Sequence, residues 1–304
     1  FANIVMAQEK KHLEIRVTNP YLYDIIERVT CEARYFKTES LMPFGTDPHH
    51  FQLSPEHRLA IAKADVIFSI GSHFEPWLDK IKPTQQQRWL AVSKFLILRK
   101  ISTIHSEEKN TSSEHEKETA EHSHNHHHFE YDAHIWHSPQ LTKNVARLIS
   151  EELKKIKPES ARQIQGCLLI FLKEIDETVS FLKKEVEKLP KENRIIATQH
   201  DSFGYFAEEF EFKTFPLLGL SNYNSPTPAE IKKMLLTIKA HHIRALFPDS
   251  LGETAAIQMI AKSAKIKVGG KLYSDTLEPK GNGPHSILEL WKTNMKTILK
   301  ALNP

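Results

Sequence analysis

The chain has 304 residues, is 40% hydrophobic and 26% charged, and sets 41 basic against 38 acidic residues for a formal net charge of +3. That is long for one core and comfortable for two lobes of a globular protein. No Lys/Arg stripe interleaves with aromatics, which argues against a nucleic-acid partner, and no apolar run approaches the length of a membrane span.

The first residues, "FANIVMAQEKKHLEIRV", lack the basic start and full apolar core of a complete signal peptide, as expected if a secreted chain has been trimmed. "LEIRVTN" then has a strand pattern. "PYLYDIIERVT" follows with helical spacing at Leu22, Ile25, Ile26 and Val29. "RYFKTESLMP" reads as a second strand that leads into the loop "FGTDPHHFQL". Ser54-Pro55 supplies an N-cap and first helical residue for "PEHRLAIAKA", and "DVIFSIG" is a short buried strand. Strands alternating with helices of this length predict α/β units built on mainly parallel sheets.

From Ser106 to His128 the only apolar residue is one alanine, too little to offset the entropy of ordering, so a mobile surface loop is expected. The chain holds 18 histidines, and seven lie between His105 and His128. His115, His122, His124, His126, His127 and His128 are read as an exchangeable, loose metal-capturing tract. A helix starting at Ser138-Pro139 is predicted to run to Pro158, and a second to span about 160–189 without an internal proline. The longer one reads as a strut joining two lobes, so the expected organisation is a first lobe over 1–158, a linker helix over 159–190 and a second lobe over 191–304.

The second lobe repeats the α/β pattern. "RIIATQ" stops at His200, and "FKTFPLLGL" precedes a capping box, Thr227 to Glu230, that opens another helix. "IRALFPD" and "IKVGGKLYS" read as two further strands, the latter ending at Asp275, and a closing helix covers about 286–302. The two cysteines, Cys31 and Cys167, form no CxxC motif and are expected to be buried free thiols rather than a disulfide.

His49, His200 and Asp275 each follow a predicted strand, and His134 precedes the Ser138 helix start. Ligands of open parallel sheets bind beyond the carboxyl ends of the strands. Two sheets facing across a cleft would therefore bring these four side chains together. Three imidazoles and a carboxylate suit tetrahedral Zn(II), and a bidentate carboxylate would admit Mn(II) or Fe(II).

"LMPFGTDPHHFQLSP", "ADVIFSIGSHFEPWL", "DAHIWHSP", "HDSFGYFAEEF", "GLSNYNSPTPAEI" and "KLYSDTL" occur in one order along the chain. In that order they resemble the metal-binding solute-binding proteins of bacterial ABC transporters, the zinc- or manganese-specific group, nearest to its zinc-uptake branch. The resemblance covers nearly everything outside the His-rich tract and places the family's four metal positions on His49, His134, His200 and Asp275. A histidine at 200, where manganese members commonly carry glutamate, and the His-rich insertion both point to zinc. Where the family commonly has "DPHxYEPTP", this chain has Gln52 in place of the glutamate and a neighbouring His50 that rivals His49. Glu75, in "FEPW", reads as structural, and His73 and His137 as bystanders.

The resemblance implies an extracytoplasmic, monomeric receptor that is not an enzyme. It would capture Zn(II), or alternatively Mn(II) or Fe(II), between the lobes and deliver it to an ABC permease, with a lipid anchor or membrane-surface association. Metal affinity is expected to fall with pH through the ordinary histidine range near ~6.5, and the long helix to limit opening to small lobe shifts. A zinc hydrolase using Glu230 or Asp201 as base, or an adhesin with structural metal, are the competing readings; no HExxH is present.

Overall fold

A computed structural model describes residues 12–31, 35–101, 131–217, 226–252 and 255–303. The His-rich tract, with His115, His122, His124, His126, His127 and His128, lies outside the described residues, as does most of "GLSNYNSPTP".

The first sheet contains β1 (Leu13–Val17), β2 (Phe36–Ser40), β3 (Val66–Ser69) and β4 (Arg88–Ala91), in the order β2-β1-β3-β4 with every pair parallel. β1 and β3 are buried along almost their whole length, the mark of a parallel strand covered on both faces. Helix α1 (Pro20–Thr30) starts where the sequence predicts, because the Asn19 side chain accepts from the amides of Tyr21 and Leu22 and Pro20 occupies the first turn. Helix α2 (Pro55–Lys63) is opened by Ser54, as its sequence implies.

Helix α3 (Pro139–Ile156) leads into α4 (Ala161–Glu187), whose 27 residues span roughly 40 Å at ~1.5 Å per residue. Ile164, Leu168, Phe171, Ile175, Leu182 and Val186 recur at helical spacing and form its buried stripe.

The second sheet repeats the topology of the first. Strands β5 (Ile195–Thr198), β6 (Lys213–Pro216), β7 (Ala245–Phe247) and β8 (Lys267–Val268) run parallel in the order β6-β5-β7-β8. Helices α5 (Gly204–Phe210), α6 (Pro228–Ala240) and α7 (Ala255–Ala264) connect them, and α8 (Ile287–Leu302) closes the chain. β8 is much shorter than "IKVGGKLYS" predicts. At Gly269, just past the end of β8, a side chain would come within 2.4 Å of the Phe247 ring, so only glycine fits this close approach to β7.

The expectation of free cysteines is overturned. Cys31, exposed at the C-cap of α1, is disulfide-bonded to Cys167 on the buried stripe of α4. The two residues are 136 positions apart, and only the packing of α1 on α4 brings them together.

One apolar core runs through both halves. Tyr21 stacks on Trp136 with ring centroids 4.2 Å apart, and Trp291 of α8 donates to the Trp136 carbonyl at 2.9 Å. The closing helix thus returns to the first lobe, where it packs on the aromatic rings of Tyr21 and Trp136.

Candidate metal centre

In each sheet the chain reverses its building direction beside the first strand, and the four predicted residues lie in segments that follow β2, β4, β5 and β8 in the chain. After β2, the carboxylate of Asp47 accepts from the His49 amide at 2.8 Å and turns the loop inward. The same carboxylate holds the His50 ring at 2.9 Å, facing solvent with 68% of its side chain exposed. His50, the rival of His49, is therefore directed away from the cleft.

His134 sits at the start of a short turn that precedes α3, and His200 directly follows β5. Asp275 lies beyond β8, in the segment that leads back towards α8. His200 Nε2 is 3.1 Å and His49 Nε2 is 3.9 Å from Asp275 Oδ2, while His134 Nε2 is 3.3 Å from Oδ1. A donor atom from each of His49, His200 and Asp275 falls within 4.8 Å of the other two. His134 approaches the other oxygen of the same carboxylate. The structure thus gathers three of the predicted side chains into one donor cluster and sets His134 against the far oxygen of the same carboxylate.

His134, His200 and Asp275 are buried, whereas the His49 side chain is 25% exposed and marks the open side. His134 Nε2, His200 Nε2 and Asp275 Oδ1 have no hydrogen-bond partner among the described residues, although they face one another at close range. Among the described residues the two rings meet only the Asp275 carboxylate on this side, as close ion pairs, so a cation that replaced their protons would find all three groups already gathered.

The far side of each ring is anchored. His134 Nδ1 lies 2.8 Å from Asp132, which also accepts from the His134 amide at 3.0 Å. His200 Nδ1 lies 2.6 Å from Asp249. A carboxylate at Nδ1 keeps the proton there and aims Nε2 into the centre. Behind Asp275, the Ser274 carbonyl accepts from Trp136 Nε1 at 2.7 Å and Tyr21 Oη at 3.0 Å, with His137 Nε2 at 3.0 Å. His137 is thus a buried brace rather than a bystander, whereas His73 is exposed.

These contacts set the charges. Burial opposes protonation of His134, but Asp132 and Asp275 outweigh it and push its pKa up to about 9. Burial likewise opposes charge on His200, yet Asp275 and Asp249 raise it well above the usual imidazole range. Burial would raise Asp275, but His200 and His134 hold its carboxyl well below the ordinary carboxylate range. His49 is lowered, chiefly by burial, and burial takes His137 down to about 3. Without a metal, protons on His134 and His200 balance the buried carboxylates. A divalent cation at the centre can take over that balance.

Glu75 points elsewhere, as its structural reading requires. It accepts from Thr18 and from the amides of Ile70 and Gly71, fixing the loop after β3, and burial lifts its pKa to about 7. Glu230, one base considered for a hydrolase, is engaged in the capping box of α6, with its carboxylate 2.7 Å from the Thr227 amide. Asp132 and Asp249 were not among the predicted site residues. Asp249 ends the predicted strand "IRALFPD", the same kind of position that singled out Asp275, and Asp132 precedes His134 by two residues.

The profile of the zinc-uptake complex component A periplasmic family, ZnuA, matches residues 15–301. The manganese-binding lipoprotein MntA of Bacillus subtilis is 25% identical over 299 residues, which cover 96% of this chain and 90% of that protein. The zinc-binding protein TroA of Treponema pallidum is 23% identical over 269 residues, covering 87% and 81%. The solved structure of periplasmic zinc-binding protein TroA superposes with a TM-score of 0.78 at 20% identity, covering 97% of this chain and all 100% of that one, and establishes the shared two-lobed fold. Matched from β1 to the end of α8, the chain belongs to the ZnuA family of extracytoplasmic metal-binding solute-binding proteins of ABC transporters.

Proposed function

We propose that the protein captures Zn(II) in the cleft through His49, His134, His200 and Asp275 and hands it to an ABC permease. The observation that carries this reading is a set of buried donors that face only one another: His134 Nε2 and His200 Nε2 converge on the Asp275 carboxylate, with the carboxylate anchors of both rings on the opposite side. Three imidazoles and one carboxylate form a donor set that favours zinc and closes a tetrahedral shell. A closed shell leaves no position for a reactive water, which favours a receptor over a hydrolase.

Mn(II) is the second reading. Relatives including MntA of Bacillus subtilis are named for manganese, and Asp275 has two oxygens to offer a larger coordination sphere. Competition titration of the metal-free protein with Zn(II), Mn(II) and Fe(II) decides between them. Zinc retention against an excess of manganese supports the first reading, and tight manganese binding with weak zinc retention supports the second.

In this reading residues 1–158 and 191–304 act as the two lobes and 159–190 as the linker that limits their motion. The protein works as a monomer. Several relatives are named lipoproteins, which favours a lipid-anchored form at the membrane surface, beside the permease. The His-rich tract acts as a loose collector that raises the local metal concentration.

A further inference from the structure

The guanidinium of Arg99 touches both lobes beside the centre. Its Nη1 is 3.3 Å from Asp132 Oδ2, in the first lobe, and its Nε donates to Glu208 Oε1 at 2.7 Å, on α5 of the second. Asp132 uses its other oxygen for His134, so one carboxylate links the arginine to a cleft histidine. The backbone is tied in as well. Arg99 N donates to Tyr205 Oη at 2.9 Å, Tyr205 Oη donates to the Asp132 carbonyl at 2.9 Å, and the Asp132 amide donates to the Arg99 carbonyl at 2.9 Å.

The second lobe leaves room for this arm. Gly204 opens α5 directly under the guanidinium, and a side-chain carbon there would lie 2.2 Å from Arg99 Nη1. Only a residue without Cβ allows the arginine to lie across the start of the helix. Asp132 is buried, the Arg99 side chain is 21% exposed and that of Glu208 63%, so the clamp runs from the interior to the cleft rim.

We propose that Arg99 is a positioning residue for metal retention: it fixes the carboxylate that orients His134 and, through Glu208, latches the second lobe onto the first. The inference rests on the cleft reading above. Opening the cleft separates Arg99 from Glu208 and loosens the support of His134 in the same movement. Its loss therefore acts on metal release more than on capture, as truncation of a buried charged partner acts mainly on dissociation.

The test is stopped-flow Zn(II) binding, with release followed into a chromophoric chelator, on the full chain. Arg99→Gln is expected to speed release by about tenfold, within the range for outer partners of metal ligands, with capture changed less than about twofold. Arg99→Lys should restore part of the difference, because charge survives while the two-pronged geometry does not. In the parent protein, salt should accelerate release by screening the exposed half of the clamp, and Glu208→Gln should remove that dependence. Glu208 is exposed enough for its substitution to leave folding intact, so this arm stands even if Arg99→Gln fails to fold.

Release from Arg99→Gln within about twofold of the parent overturns the proposal. So does unchanged salt dependence in Glu208→Gln, or equal changes in capture and release with a lower melting temperature of the metal-free protein, the signature of general destabilisation. His134→Ala separates the two layers. If it leaves zinc release unchanged, the cleft reading fails; if it accelerates release while the Arg99 and Glu208 variants do not, only the clamp fails.

Discussion

His200 Nδ1 and Asp249 Oδ2 lie 2.6 Å apart, both side chains almost fully buried, on loops that follow neighbouring strands of one sheet. Because the carboxylate holds that ring nitrogen, the other must face Asp275. Asp249→Asn keeps the shape but weakens the hold on the ring. Zinc affinity should fall by about 10–100-fold in a competition titration, with the far-ultraviolet circular dichroism unchanged.

His49 and His50 are adjacent in sequence but face opposite ways. His49→Ala should reduce zinc affinity by at least about 100-fold, beyond the loss of an outer partner, whereas His50→Ala should change it less than about twofold. Calorimetric titration of both variants measures the difference, and equal losses would show that the loop after β2 presents either ring.

The protonation states predict a calorimetric signature. His134, raised to about 9, and His200, held well above the usual imidazole range by its carboxylates, both carry protons at neutral pH before metal arrives. Zinc must displace them, so about two protons are released per metal bound at pH 7. The apparent binding enthalpy measured in a series of buffers should vary with buffer ionisation enthalpy at that slope. Competition from protons then extends above the ~6.5 of an ordinary histidine, a higher window than composition alone implies.

The same shift affects the metal-free fold. A histidine whose pKa is raised in the folded state stabilises fully below its unfolded value near ~6.5 and loses that contribution as pH rises. For His134 the loss is complete once pH passes about 9. The rise to about 9 corresponds to ~3 kcal/mol, so the metal-free protein should lose roughly 5–10 °C of melting temperature across this window relative to His134→Gln, measured by scanning calorimetry. Zinc-loaded protein should not show the step.

Cys31–Cys167 ties α1 to α4 across 136 residues of chain. Cys31→Ser should cost about 2–4 kcal/mol of stability in denaturant unfolding while changing zinc affinity less than about twofold, since neither sulfur lies in the cleft.

Local signals in the sequence were legible where one residue decides the outcome. Asn19-Pro20 and Ser138-Pro139 start helices because capping and a preset φ act within a single turn. The grouping of His49, His134 and His200 around Asp275 was legible because parallel sheets place loops at strand ends and because the motifs around them resemble a known family. Strand lengths were not. "RYFKTESLMP" pairs only from Phe36 to Ser40, since pairing depends on β1 beside it and not on the segment's own preference. β4, with the sequence "RWLA", is too short to show alternation, and α5 begins without a side-chain cap. The disulfide and the Arg99 clamp depend on contacts across 136 and 109 positions, which no local pattern encodes.

Anomalous diffraction from crystals of the zinc-loaded protein, measured on both sides of the zinc absorption edge, tests the central claim most directly. The account predicts one strong peak bonded to Nε2 of His49, His134 and His200 and to the carboxylate of Asp275, with Asp132 and Asp249 still holding the two buried rings. A strong peak elsewhere, or a cleft ion that makes no bond to His200, would contradict it.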